Sequence, residues 1–149
     1  MKRLFIYYSN SGNGDLVANY LDKFGYEVRK VIRKKPLPKS FFWCMMVGGF
    51  LAATNHKDKL EDFDSNIEEY DEIVIGSPIW NGKISCPINT VLSLLKLENK
   101  KVTVVFYAGG GEAPKAIQKI NKMLPNAKAI ILKEPKKYNE ELAKLEELK

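Results

Sequence analysis

The residues with the clearest chemistry lie near the start of this 149-residue chain, in the segment Tyr8-Ser9-Asn10-Ser11-Gly12-Asn13-Gly14. Small, hydroxyl and amide residues follow an apolar run here and precede a predicted helix. Backbone N–H groups at a helix N-terminus, where the positive end of the helix dipole also lies, can bind an anion such as phosphate. The alternative is an ordinary turn with a helix cap, because Ser, Asn and Gly are frequent in both.

Two further segments have unusual composition, and each follows an apolar run. In the first, Gly-Ser-Pro-Ile-Trp-Asn-Gly at residues 76–82, Trp80 offers a flat aromatic face on which a planar ring can stack. The alternative for Trp80 is a hydrophobic plug in the core. In the second, residues 108–112, three consecutive glycines would let the backbone approach a ligand closely.

The elements that must position these segments alternate between strand and helix patterns. Such alternation predicts βαβ units and a parallel sheet. We therefore expect a single α/β domain over residues 1–149, a three-layer α/β/α sandwich with five parallel strands in the order 2-1-3-4-5. The predicted strands cover residues 3–8, 26–32, 71–76, 101–107 and 127–132. In that order, the loops after strands 1, 3 and 4 meet at one edge of the sheet, where ligands bind in such folds.

A ligand with one phosphate and one planar ring would satisfy all three segments, and flavin mononucleotide (FMN) fits that description. The chain lacks both the lysine of a Walker motif and the GxGxxG pattern, so nucleoside triphosphates and dinucleotides fit poorly. No residue is predicted to be catalytic or to bind a metal. The predicted cofactor-binding residues are Ser9, Asn10, Ser11, Gly12, Asn13, Gly14, Ser77, Pro78, Ile79, Trp80, Asn81, Gly82, Ala108, Gly109, Gly110 and Gly111.

With these three segments in this order, the chain resembles the flavodoxin family over essentially its full length. The resemblance implies that residues 9–13 bind the phosphate, that Trp80 stacks on the isoalloxazine ring, and that residues 109–111 face its pyrimidine side. The chain departs from the family at Gly14, where a threonine is usual, and at Asp15, which adds a negative charge near the phosphate. The apolar segment Phe41–Ala53 is an addition that the resemblance does not explain.

The resemblance favours a flavoprotein that acts as a low-potential electron carrier, exchanging electrons with redox partner proteins or a small acceptor. The alternative is an FMN-dependent NAD(P)H:quinone-type oxidoreductase whose substrate pocket is lined by the segment Phe41–Ala53. A third interpretation is a binding protein on the same fold without a cofactor, since fold does not imply function.

Charge and apolar patterning exclude other classes of function. The formal net charge is +6, but the lysines are scattered, and those of residues 133–149 alternate with glutamates as on a solvated helical face, so we expect no nucleic-acid binding. The segment Phe41–Ala53 has 13 residues, whereas a membrane-spanning helix needs about 20, so no stable membrane insertion is expected. We interpret it as a buried helix or a cover over the sheet, with a lid or an interface patch as the alternative.

The remaining residues that could do chemistry give little indication of a further site. Cys44 and Cys86 lack a CxxC or histidine pattern, which is typical of free thiols in a reducing cytoplasm. The single histidine, His56, lies in a polar stretch and is interpreted as a surface side chain.

Overall fold

A parallel sheet forms the centre of the computed structural model, which describes residues 1–35, 40–53 and 57–149. The strands are β1 (Arg3–Tyr7), β2 (Tyr26–Lys30), β3 (Glu72–Trp80), β4 (Lys83–Ile84), β5 (Lys101–Ala108) and β6 (Lys128–Lys133). Five of them are parallel in the order β2-β1-β3-β5-β6, while β4 pairs antiparallel with the end of β3. The predicted fold class and strand order are confirmed, and the strand count is corrected from five to six.

The helices occupy the positions that the alternating pattern predicts. They are α1 (Asn13–Asp22), α2 (Phe41–Ala53), α3 (Cys86–Leu94), α4 (Pro114–Met123) and a C-terminal 3₁₀ helix (Asn139–Leu148). Pro87 lies in the first turn of α3, where the missing N–H removes no intrahelical hydrogen bond.

The sheet has a hydrophobic core on each of its two faces, because successive side chains along a strand point to opposite faces. On one face, Phe5 and Tyr7 pack with Val17 and Leu21 of α1 and with Leu145 of the 3₁₀ helix. The larger core lies on the other face. It includes Leu4, Ile6 and Ile75 of the sheet, Ile88 of α3 and Ile120 of α4. Both faces of the sheet are therefore covered, which gives the predicted three layers.

The strand β3 runs further than predicted. The sequence indicates a strand ending at Gly76 and a loop over residues 77–83, but the strand continues to Trp80 and turns back through Asn81 and Gly82 into β4. Both turn residues have positive φ angles, 51° and 74°. An Asn-Gly pair is the typical sequence of this tight hairpin turn, and the hairpin supplies β3 with a pairing partner beyond its last parallel neighbours.

The helix α2 is only partly buried, although its sequence is apolar on every side. It packs near the end of β3, where Gly48 is buried. On its outer side, Trp43, Met46 and Phe50 are 59%, 56% and 70% exposed. The interpretation as a cover is confirmed, but a fully buried helix is wrong for this outer face.

The sequence also led to predictions about the cysteines, the histidine and membrane insertion. Cys44 is a half-buried and Cys86 a buried free thiol, as expected. His56 lies outside the described residues. Within residues 1–35, 40–53 and 57–149, each helix falls short of the length and apolar character that crossing a bilayer would require.

Candidate functional site

The phosphate loop, defined as residues 8–14, continues directly from β1 and is folded by one side chain. The Tyr8 N–H donates to the Gly76 carbonyl oxygen at 3.1 Å, which ties the loop to β3. The Ser9 Oγ then accepts hydrogen bonds from the N–H groups of Gly12 at 3.1 Å and Gly14 at 3.0 Å. Ser9 therefore organises the loop.

The preceding loop caps the start of α1. The N-cap residue is Gly12, with φ of 95° and no side chain, and the Ser9 Oγ accepts the N–H of Gly14 in the first turn instead. On the rim, the Asn13 Nδ2 donates to the Ser11 Oγ at 3.1 Å. Ser11 and Asn10 are exposed. Binding of a phosphate at this helix N-terminus stays a prediction.

Lys136 supplies a positive charge that the sequence interpretation missed. Its backbone N–H donates to the Asn13 Oδ1 at 3.0 Å, and its Nζ donates to the Ser11 carbonyl oxygen at 3.2 Å. A cavity of about 220 Å³ lies here, lined by Ser11, Asn13, Glu134, Lys136 and Lys137. Lys136 is exposed, as predicted, but it lies in a turn before the 3₁₀ helix rather than on a helical face. Its position after the last parallel strand was the available signal, because all carboxyl ends of the parallel strands share one edge.

Packing explains why glycine stands at position 14. A Cβ atom placed there would lie 2.6 Å from the Tyr107 Oη and 2.8 Å from both the Ser9 Cβ and the Tyr7 Cδ2. Tyr107 reaches this place from β5 and donates its hydroxyl to the Tyr8 carbonyl oxygen at 2.6 Å. The Tyr107 side chain thus packs against the phosphate loop and fills the space beside Gly14. A threonine at position 14 would have no room.

Asp15 is engaged by its own partners beside the phosphate loop. Its Oδ1 accepts hydrogen bonds from the Tyr7 hydroxyl at 2.7 Å and the Lys30 Nζ at 2.8 Å. Burial favours the neutral acid, but hydrogen bonds from Lys30 and Tyr7 and the charges of Lys30 and Lys136 outweigh it and lower the pKa of Asp15. The carboxylate is therefore paired with positive charge, which weakens its repulsion of a bound phosphate.

Trp80 packs beneath α2 at the other end of the site. A Cβ atom at Gly48 would lie 3.4 Å from the Trp80 Cδ2, so the helix backbone closely approaches the indole. The Tyr8 ring meets the indole edge-on, with centroids 5.7 Å apart, and the Arg33 guanidinium lies 5.8 Å from its centroid. Arg33 also forms a buried ion pair with Asp58. These contacts give Trp80 a packing role, while its stacking role stays a prediction.

The other residues of the hairpin segment differ in burial, from the fully buried Ser77 to the exposed Asn81. Ser77 is fully buried, where its Oγ lies 2.9 Å from the Ser85 Oγ and accepts the Ser85 N–H at 3.1 Å. Ser77 therefore links β3 to the start of α3. Pro78 and Ile79 are half-buried strand residues, while Asn81 is exposed at the turn.

The third loop presents glycine backbone to open space. Ala108 is buried at the end of β5, and Gly109 and Gly110 are exposed. A Cβ atom at Gly109 or Gly110 would meet nothing within 4 Å. Gly111 closes the turn with φ of 76° and donates its N–H to the Ala108 carbonyl oxygen at 3.1 Å. The loop thus leaves its backbone open to a ligand.

The three segments meet at one edge of the sheet, as predicted. β3 lies between β1 and β5, and Tyr8 contacts Gly76 and Trp80 of β3 and Tyr107 near the end of β5, directly before the glycine loop. A separate cavity of about 480 Å³ lies at the opposite edge, beside the start of β5, where ligands are not expected in such sheets. Among the described residues, no group of three or more His, Cys, Asp or Glu side chains is arranged to hold a metal ion.

Comparisons with known structures support the fold. A flavoprotein from Bacteroides eggerthii is 21% identical, with a TM-score of 0.73 over 95% of this chain and 96% of that one. A Lactobacillus acidophilus flavoprotein in complex with FMN is 23% identical, with a TM-score of 0.68 over 93% and 97% of the two chains. An azoreductase from Bacillus anthracis is 17% identical, with a TM-score of 0.53 over 99% and 96%.

The family comparison is more specific than these structural likenesses. No curated protein matches the chain in sequence. The sequence model of the NADPH-dependent FMN reductases, however, matches residues 1–139. This match supports FMN as the cofactor and an FMN-dependent oxidoreductase as the class of protein. It confirms the flavodoxin-like FMN-binding fold but favours the reductase alternative over the electron carrier. The chain belongs to the family of NADPH-dependent FMN reductases.

Proposed function

We propose that the chain is an FMN-dependent oxidoreductase that oxidises NADPH and reduces a small quinone-type acceptor without a partner protein. The observation that carries the proposal is the meeting of the phosphate loop, the β3–β4 hairpin and the glycine loop at one edge of the sheet. The family match supports NADPH as the electron source.

The residues at this edge would hold FMN from two ends. The hydroxyls of Ser9 and Ser11 and the positive end of the α1 dipole would bind the phosphate, and Lys136 would balance its charge. Gly109 and Gly110 leave space for the pyrimidine side of the ring. Bound FMN would supply the hydride-accepting chemistry, because in flavoproteins the cofactor carries the redox reaction.

The helix α2 would form the acceptor side of the pocket. It contacts both ends of the candidate site, since the Asn10 Nδ2 lies 2.9 Å from the Cys44 Sγ and Gly48 packs on Trp80. An apolar wall beside the ring suits a planar, uncharged acceptor such as a quinone. This position favours a reductase with its own substrate pocket.

The test uses the purified protein loaded with FMN. We expect it to oxidise NADPH in the presence of a soluble quinone, with no reductase added, as followed by the loss of NADPH absorbance. The matched control is the same protein without quinone under anaerobic conditions, which should stop after one equivalent. Absence of turnover with NADPH, together with rapid electron exchange once a reductase is added, would instead support the electron carrier.

A further inference from the structure

A cleft lined by lysines lies between the β3–β4 hairpin and α4, outside the residues predicted to bind FMN. Its volume is about 410 Å³, within the range of small-molecule sites. Among the described residues that line it, none is acidic. They are Lys83, Ile84, Lys115, Ala116, Gln118 and Lys119, which together define the lysine cleft.

The lysine cleft adjoins the ring end of the candidate site. Lys83 directly follows the hairpin turn, and a Cβ atom at Gly82 would lie 3.9 Å from the Lys115 Cδ. The Lys115 side chain therefore passes close to the turn. The helix α4 also begins directly after the glycine loop. A ligand that reaches the flavin ring from this side would bring its other groups to the cleft.

The lysines of the cleft repel one another, which destabilises the folded protein. Lys115 and Lys119 are four residues apart on α4, a spacing at which like charges destabilise a helix by about 0.2–0.5 kcal/mol. The Lys119 Nζ donates to the neutral Asn89 Oδ1 at 2.7 Å. Burial, followed by the charges of Lys83 and Lys57, lowers the pKa of Lys119. A bound anion would relieve this repulsion.

We propose that the lysine cleft binds the phosphate groups of the dinucleotide hydride donor and so directs its nicotinamide to the ring end of the candidate site. The proposal rests on the proposed function, which requires NADPH to approach the ring. The dinucleotide is the reactant that brings several negative charges there, and the cleft places Lys115 and Lys119 one helical turn apart on α4, with no carboxylate among the described lining residues.

The test measures binding rather than turnover, by calorimetric titration of the FMN-loaded protein with NADP⁺. Lys119→Met keeps the apolar stem and removes the charge, so we expect NADP⁺ to bind about 10-fold more weakly, the loss typical of one charge-assisted hydrogen bond. Lys115→Met, at an exposed position where folding is at little risk, should weaken binding in the same direction. Lys122→Met, an exposed position on the same helix outside the cleft, is the matched control and should bind like the wild type.

Further titrations separate the sources of the effect. An equal loss for NAD⁺ and NADP⁺ places the diphosphate in the cleft, whereas a loss for NADP⁺ alone places the 2′-phosphate there, and either result supports the proposal. Inorganic phosphate should compete with NADP⁺ in the wild type and compete less in Lys119→Met. Unchanged NADP⁺ binding in both cleft variants, or a loss of FMN affinity of similar size, would overturn the proposal.

The same experiments distinguish failure of this proposal from failure of the proposed function. Wild-type protein that oxidises NADPH, with cleft variants that bind NADP⁺ normally, would remove the cleft and keep the reductase. Wild-type protein that neither oxidises NADPH nor binds NADP⁺ would remove both.

Discussion

The two ends of the candidate site are built by different forces. At the phosphate end, hydrogen bonds fix the loop, with Ser9 holding two N–H groups and Lys136 closing over Ser11. At the ring end, close apolar packing prevails, with the backbone of α2 at Gly48 against Trp80. Directional hydrogen bonds therefore fix the positions of individual atoms at the phosphate end, whereas at the ring end the close fit of apolar surfaces decides the structure.

Two glycines make this comparison testable, since each contacts an aromatic residue of the site. A Cβ atom at Gly14 would meet its neighbours at 2.6–2.8 Å, which they cannot accommodate, whereas at Gly48 the nearest atom would be 3.4 Å away, an ordinary contact. The same type of substitution should therefore have opposite effects on stability at the two ends.

The largest effect is expected from Gly14→Thr, which restores the residue usual in flavodoxins. Overpacking against Tyr107, Ser9 and Tyr7 should lower the free energy of unfolding by about 3 kcal/mol. Urea denaturation measures this change. Adding Tyr107→Phe should restore part of the loss, because it removes the nearest clashing atom. Gly110→Ala, in open space, is the control and should unfold like the wild type; a stable Gly14→Thr variant would contradict the packing explanation.

The second effect concerns the charge at the phosphate end. Lys136→Ala should weaken FMN binding about 10-fold, because the charged group proposed to balance the phosphate beside Ser11 is lost. Riboflavin, which has no phosphate, should bind equally well to both proteins. Flavin fluorescence titration measures both affinities, with Lys128→Ala at the opposite end of β6 as the control. Equal losses for the two flavins would show that Lys136 acts on the fold rather than on the phosphate.

The third effect tests the ring end. Gly48→Ala should raise the free energy of unfolding by about 0.5–1 kcal/mol, because alanine is the better helix former and its methyl group reaches Trp80 without a clash. Thermal and urea unfolding measure the change. If Gly48→Ala lowers the free energy of unfolding instead, α2 cannot move away from Trp80 enough to fit a methyl group, and the two glycines would not differ in the sign of the effect.

The smallest effect comes from Asp15→Asn. The folded protein lowers the pKa of Asp15, so its ionised form stabilises the fold above the usual aspartate pKa, and this contribution is lost as the pH falls through the lowered value. Because the Asp15 side chain is 44% exposed, the contribution at neutral pH should be only about 0.5 kcal/mol. Unfolding of both proteins across the acidic range should show the difference shrinking at low pH.

The alternation of strand and helix patterns was sufficient to predict the sheet order and the edge at which the loops meet. The loop between β1 and α1 was also predictable, because its serines, amides and glycines are neighbours in the sequence, whereas phosphate binding by this loop stays a prediction. The hairpin after β3 was missed although its Asn-Gly turn was visible. The strand β4, in which Ile84 pairs with Ile79, has only two residues, too few to show an alternating pattern.

By itself, the sequence determined the layers of the fold and a loop suited to phosphate, because local periodicity and turn chemistry depend on residues close together in the chain. Only the tertiary structure decided that Lys136 closes that loop, that Tyr107 requires glycine at position 14, and that α2 covers Trp80. These contacts join residues far apart in sequence, and their distances follow from how the layers pack rather than from any local pattern.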